Sequence, residues 1–292
     1  MFVPSGTMGN QIAIKLHTKP GQEVICEERS HIFNFEMGDM AAISGCQART
    51  IPTSDGLLCW DQIREKLRPD IYYYSRTGLV ALENTHNMAG GTVYPLEAAR
   101  EICERAHERG LPVHLDGARI FNAAEHLGCP AREIAAPFDS VMFCLSKGLG
   151  APVGSLLVGP RKFIDEAVRA RKMFGGGMRQ AGVLAAAGLI ALEKHPAKLA
   201  EDHCNARVLA ESLGKLPGVR VDVAKVQTNI VMFDVSGTGV TASDFSGRLK
   251  QRNVLINPIN DRQLRIVTHS DVDRAGCEQA LAAITEVAAA AG

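Results

Sequence analysis

Over its first two thirds the chain alternates short apolar runs with helical stretches, and this alternation limits the fold more than any other feature. The runs Val24–Cys26, Thr77–Leu82, Pro112–Leu115 and Ser140–Leu145 have the length of buried strands. Pro95–Arg109 reads as a helix, with a Pro near its start and Gly110 just past its end. Strands joined by crossover helices make a mainly parallel sheet covered by helices, so the expected class is α/β. From about Gln180 the texture changes. A long Ala/Leu-rich helix is expected over Ala181–Leu213, broken at Pro196. Strands are expected at Val219–Val223, Asn229–Val235 and Leu264–Thr268, with helices near Ala242–Arg252 and after Ser270. This pattern predicts a small C-terminal α+β domain, and the expected division is 1–190 and 191–292. The opening is unusual. Phe2-Val3-Pro4 reads as the end of a strand, and Ser5-Gly6-Thr7 opens a helix over Met8–His17. A domain rarely starts at the end of its first strand, so a preceding segment is expected to be missing.

With 292 residues the chain can bury one large core and a smaller one. Its 32 basic and 32 acidic residues cancel. A nucleic-acid-coating protein needs a basic excess to displace counterions, so no nucleic-acid partner is expected. The longest apolar stretch, Ala181–Leu192, is shorter than the roughly 20 residues of a bilayer crossing and reads as a buried helix, so no membrane partner is expected. No basic flank or cleavage pattern follows Met1. The eight cysteines form no CxxC pair and read as reduced, mostly buried thiols of a cytoplasmic protein.

Three short segments carry chemistry. In Ser146-Lys147-Gly148-Leu149-Gly150 a lone Lys stands at the tip of an apolar strand. Catalytic groups of parallel sheets gather at such carboxyl ends, and a partly desolvated Lys forms Schiff bases readily. Taken alone it is also an ordinary loop lysine. In His114-Leu115-Asp116-Gly117-Ala118-Arg119 a strand ends at an Asp that can hold a ring N–H⁺, or simply cap the next turn. Ser5-Gly6-Thr7 opens a helix whose exposed N–H groups can bind an anion, or only receive an ordinary cap. Other templates fail. The sequence has no GxxxxGK(S/T), HExxH or GxSxG, and its nine His show no metal-ligand spacing, so no metal site is expected. Together, an anion cradle, a Schiff-base amine and an acid for a ring nitrogen are what pyridoxal 5'-phosphate requires.

Read with these motifs, the chain resembles the threonine aldolases of the β-eliminating lyase branch of the fold-type-I, aspartate aminotransferase-like pyridoxal-phosphate enzymes. The matching residues are PSGTMGNQ (4–11), the His31 segment, LENTHN (82–87), HLDGARIFNA (114–123), LSKGLGAPVGS (145–155), KMFGGGMRQAG (172–182) and LRIVTHSDV (264–272). The resemblance implies that Gly6 and Thr7 bind the cofactor phosphate. It implies that His31 stacks on the pyridine ring, Asp116 pairs with the ring nitrogen and Lys147 carries the aldehyde as a Schiff base. Arg119 and Arg265 are implied to grip the substrate carboxylate, with Arg119 also near the cofactor. Glu83, Asn84 and His86 are expected to shape the cleft, and Lys172 to approach the substrate side chain or the phosphate. Tyr73 falls near a position where relatives often carry a His acting on the substrate hydroxyl. Relatives also carry further N-terminal residues that supply an arm, a helix and some active-site contacts.

The implied reaction is cleavage of threonine or allo-threonine to glycine and acetaldehyde. The base is a water, or a group near His31, Tyr73 or His86. Alternatives are another pyridoxal-phosphate lyase, racemase or aminotransferase, or a truncated non-catalytic subunit. The implied partners are a small amino acid substrate and further copies of the chain, as homodimer or homotetramer.

Overall fold

The computed structural model describes residues 1–290. The chain divides into two compact units, Met1–Ala89 with Val93–Pro196, and Gly90–Thr92 with the segment from Ala197 onward. The first unit contains seven strands: β1 (Phe2–Val3), β2 (Glu23–Glu27), β3 (Gln47–Ile51), β4 (Thr77–Glu83), β5 (Val113–Asp116), β6 (Ser140–Cys144) and β7 (Ser155–Val158). They form one sheet in the order β1-β7-β6-β5-β4-β2-β3. Strands β2 to β6 pair in parallel, while β7 and β1 add antiparallel pairs at one edge.

Parallel strands covered on both faces read as unbroken apolar runs, and every residue of β2 is buried. The main core joins Ile25, Val80, Leu82, Leu115 and Val141 to Ile102 of the helix Leu96–His107. That helix matches the predicted one, and Gly110, at φ +69°, turns the chain after it. Helix Gly6–His17 crosses the sheet near β6 and β7. Gly9 permits its close approach, because a Cβ there would stand 2.6 Å from Met142 Cγ.

The second unit has β8 (Ile230–Asp234), β9 (Asn257–Pro258) and β10 (Gln263–Val267) in an antiparallel sheet ordered β8-β10-β9. Helices Leu199–Leu213, Ala242–Lys250 and Arg274–Ala289 share a core with it that includes Phe233, Phe245, Leu264 and Ile284. This is the predicted α+β pattern.

Two expectations are corrected. Val219–Val223 is not a strand. Arg220 makes a single bridge to Asp234, and the chain then enters a 3-10 turn at Val223–Lys225. The stretch Ala181–Leu192 does not form a buried helix. In the helix Gly182–Lys194 only Gly188 and Ala191 are buried, and Val183, Leu189 and Ile190 lie open. A helix apolar on all sides has no single face to turn inward, so its sequence overstates its burial. The break at Pro196 is present as a 3-10 turn, Pro196–Lys198. Among the described residues no helix is long and apolar enough to cross a membrane. All eight cysteines are free thiols.

Candidate active site

The ends of β5 and β6 and the start of helix Gly6–His17 line a cavity of about 300 Å³. Its wall carries Gly6, Thr7, His31, Asp116 and Lys147 together. The parallel sheet is the reason: it brings the carboxyl ends of separate strands to one edge.

Gly6 and Thr7 lie in the first turn of their helix. Ser5 caps it, its Oγ accepting the Met8 N–H at 3.2 Å. First-turn N–H groups have no partner within the helix and carry the positive end of its dipole, which suits an anion. Lys147 follows the end of β6 and is half-buried. Asp116 ends β5 and is buried. Its Oδ1 accepts the Ala118 N–H at 3.1 Å and its Oδ2 accepts Asn10 Nδ2 at 2.9 Å.

His31 is held at both ends. Its backbone N–H donates to Glu83 Oε2 at 2.7 Å, and its ring Nδ1 stands 3.0 Å from Glu36 Oε1. The Glu36 hydrogen bond raises the His31 pKa against the opposing effect of burial. Asp116 and the charge of Glu36 add to the rise, and Lys147 opposes it. Glu83 is itself buried, which pushes its carboxyl up against the pull of His86; its Oε1 accepts the Asn87 N–H at 2.8 Å. His31, Glu36 and Asp116 place ligand atoms within 4.8 Å of one another, but the Asn10 amide already bridges the two carboxylates.

The remaining predicted residues are not among those that line this cavity. His86 is fully buried, with Nε2 3.0 Å from Glu27 Oε2. Tyr73 is 63% exposed and stacks edge-on with Tyr72 and Tyr74. Lys172 is exposed, with its Cδ beside Gly177. Arg119 is half-buried, with Nη1 3.4 Å from Asn87 Oδ1. Arg265 belongs to the second unit, half-buried on β10 opposite Met232 and Asn257. Asn84 ties β4 to β5, its N–H donating to the Asp116 carbonyl at 2.9 Å. Sequence reasoning missed Asn10 and Glu36. Asn10 had a usable signal, since it lies one helical turn after Gly6, whereas Glu36 sits in a loop with none.

The donors and acceptors of this wall fit pyridoxal 5'-phosphate. Helix-start N–H groups suit its phosphate, a carboxylate its ring N–H⁺ and an amine its aldehyde. At Gly6 a Cβ would stand only 3.2 Å from Cys144 Sγ and Met142 Cε, so a bare backbone belongs at the phosphate end. A mainly parallel sheet with this set at its carboxyl edge defines a fold-type-I pyridoxal-phosphate enzyme.

Comparison with known proteins narrows the class. The family model described as beta-eliminating lyase matches residues 1–236. The low specificity L-threonine aldolase of Escherichia coli K12 is 45% identical over 277 residues, covering 94% of this chain and 80% of its own. Low-specificity L-threonine aldolase 1 of Arabidopsis thaliana is 42% identical over 277 residues, covering 93% and 77%. Among solved structures, Leishmania major threonine aldolase superposes with a TM-score of 0.82 at 22% identity, covering 98% of this chain and 83% of that one. Rhizobium meliloti aspartate aminotransferase gives 0.70 at 18% identity, covering 99% and 76%. These two structural likenesses bear on the fold. The chain belongs to the beta-eliminating lyase family.

Proposed function

We propose that this protein cleaves β-hydroxy-α-amino acids, threonine and allo-threonine among them, to glycine and an aldehyde. One observation carries the reading: Gly6, Thr7, His31, Asp116 and Lys147 share one cavity wall in a chain 45% identical to an L-threonine aldolase. When bound, pyridoxal phosphate supplies an electron sink for the pair left at Cα as the Cα–Cβ bond breaks.

The chain's own residues do the rest. Gly6 and Thr7 N–H groups hold the phosphate. Lys147 Nζ is the amine that would hold the cofactor aldehyde. Asp116 pairs with the ring N–H⁺ and keeps the ring protonated. His31, with Nδ1 committed to Glu36, is the ring that would lie against the cofactor. Its remaining nitrogen Nε2, or a water held by it, takes the β-hydroxyl proton. The forked guanidinium groups of Arg119 and Arg265 bind the carboxylate, which fixes the Cα substituents for cleavage. Assembly into homodimers or homotetramers and a cytoplasmic setting belong to the same reading.

The test supplies L-threonine and L-allo-threonine to the protein loaded with pyridoxal phosphate and measures acetaldehyde and glycine. Both products are expected in equal amount. A loaded protein that forms neither, or that releases ammonia and a keto acid instead, overturns the reading. Lys147→Ala is expected to lose the visible absorbance of the covalently held cofactor; a variant that keeps it refutes the role of Lys147.

A further inference from the structure

Asp116 is the terminus of a chain of polar side chains running through the first unit. His17 Nε2 lies 2.8 Å from Ser140 Oγ, and Ser140 Oγ lies 2.8 Å from His114 Nδ1. His114 Nε2 lies 3.1 Å from Asn10 Oδ1, and Asn10 Nδ2 donates to Asp116 Oδ2 at 2.9 Å. The fold explains the line. His114 and Asp116 alternate to the same face of β5. Ser140 is the register partner of His114 on β6. Asn10 and His17 are seven residues apart on one face of their helix. Ser140, His114 and Asn10 are fully buried.

The direction of every bond follows from two carboxylates. Asn10 Nδ2 has two hydrogens, and both are committed, one to Asp116 and one to Glu36 Oε1 at 2.9 Å. Its Oδ1 must therefore accept, so His114 carries its proton on Nε2. His114 Nδ1 is then an acceptor, and the Ser140 hydroxyl donates to it. With that hydrogen spent, Ser140 can only accept from His17 Nε2–H. Burial, then the nearby His17, pushes the His114 pKa down to about 3, with Asp116 opposing. Burial also lowers His17, with Asp139 opposing. Protonation of His17 keeps its Nε2–H, so the direction persists.

We propose that His17, Ser140, His114 and Asn10 form a one-directional relay that positions Asp116. A reversed Asn10 amide would face an oxygen at two carboxylates, so His114 locks it and the lock fixes the carboxylate. His114, Ser140 and His17 act through Asn10 and touch no reacting atom. The inference rests on the cofactor reading only for what Asp116 then holds.

The first test needs no cofactor. In ¹⁵N-histidine NMR of the cofactor-free chain, His114 is expected as the Nε2–H tautomer, unchanged between about pH 5 and pH 9. The Nδ1–H tautomer, or titration in that range, overturns the relay. The second test titrates pyridoxal phosphate into variants. His114→Leu leaves Asn10 Oδ1 buried and unpaired, and affinity is expected to fall about tenfold. His114→Gln restores an N–H donor, and affinity is expected to stay within about twofold of the unaltered chain. Equal weakening by Leu and Gln, or none by Leu, overturns the proposal. Should His114→Leu fail to fold by circular dichroism, Ser140→Ala serves instead. It removes the partner of His114 Nδ1 but leaves Asn10 and the two carboxylates in place, so the Nε2–H tautomer is expected to persist, and a mixed or Nδ1–H tautomer refutes the relay. An unaltered chain that takes up no pyridoxal phosphate overturns the cofactor reading, while the tautomer measurement still decides the relay.

Discussion

His31 Nδ1 and Glu36 Oε1 stand 3.0 Å apart, and Glu36 is only 1% exposed. A buried carboxylate with a ring nitrogen against it decides which nitrogen carries the proton. Nδ1 must be the donor, since an ionised carboxylate only accepts. Glu36 therefore sets both the tautomer and the charge of a ring on the cavity wall.

Glu36→Gln is the direct check. The change is sterically mild, and Gln11, whose Oε1 is buried without a partner, can reverse its amide to meet the new N–H. The pH dependence has a definite sign. His31 is raised in the folded chain, so its pairing stabilises fully below the unfolded value of 6.5 and fades as pH rises through the folded value. The stability gap between parent and variant should be wider at about pH 6 than at about pH 9. In histidine NMR the His31 titration should move to lower pH. A His31 titration identical in the two proteins would refute the pairing.

Gly9 tests how the helix start is seated. A Cβ there would stand 2.6 Å from Met142 Cγ, tighter than side-chain contacts allow. Gly9→Ala should lift the helix from β6 and cost about 1–3 kcal/mol, despite the better helix propensity of Ala. Because Gly6, Thr7 and Asn10 ride on the same helix, affinity for pyridoxal phosphate should fall with Tm. A raised Tm, the outcome of propensity alone, would contradict the packing.

Arg119→Lys and Arg265→Lys test the two guanidinium groups separately. A lysine keeps the charge but loses the two-pronged geometry that matches a carboxylate. Each should raise KM for threonine by about tenfold and lower kcat less. A variant whose KM is unchanged removes that arginine from the carboxylate.

The central strands were legible because burial on both faces leaves continuous apolar runs, as in Thr77–Leu82. Strands β3 and β7 were not. Gln47–Ile51 is polar and mostly half-exposed, and Ser155–Val158 is short and follows a glycine-rich loop. Residues such as Asp116 and Lys147 were legible because a parallel sheet sends strand-end side chains to one place. His86 was not placed by that rule. It lies three residues past β4, where a distant loop closes over it: a Cβ at Gly56 would stand 2.5 Å from His86 Cγ. The relay to Asp116 was hidden for a similar reason, since it joins a helix to two strands more than a hundred residues later.

His86 gives the sharpest separation between a structural and a substrate-binding role. Burial alone would raise the Glu27 carboxyl, but the hydrogen bond and charge of His86, with Thr53 and the Arg29 N–H, bring it down to about 2. Burial would likewise lower His86, but Glu83 and Glu27 outweigh it and raise it. Glu27 then contributes stability above its unfolded value of 4.5 that is lost as pH falls toward about 2. His86 contributes below its unfolded value of 6.5, and that part is lost as pH rises through the folded value. His86→Leu should destabilise the chain by about 2 kcal/mol or more, since it strips a partner from a buried carboxylate. The gap from the parent should be widest between 4.5 and 6.5 and narrow on either side. Thermal unfolding across pH measures it, and KM of the folded variant should stay near that of the parent. An unchanged Tm with a raised KM would return His86 to the substrate.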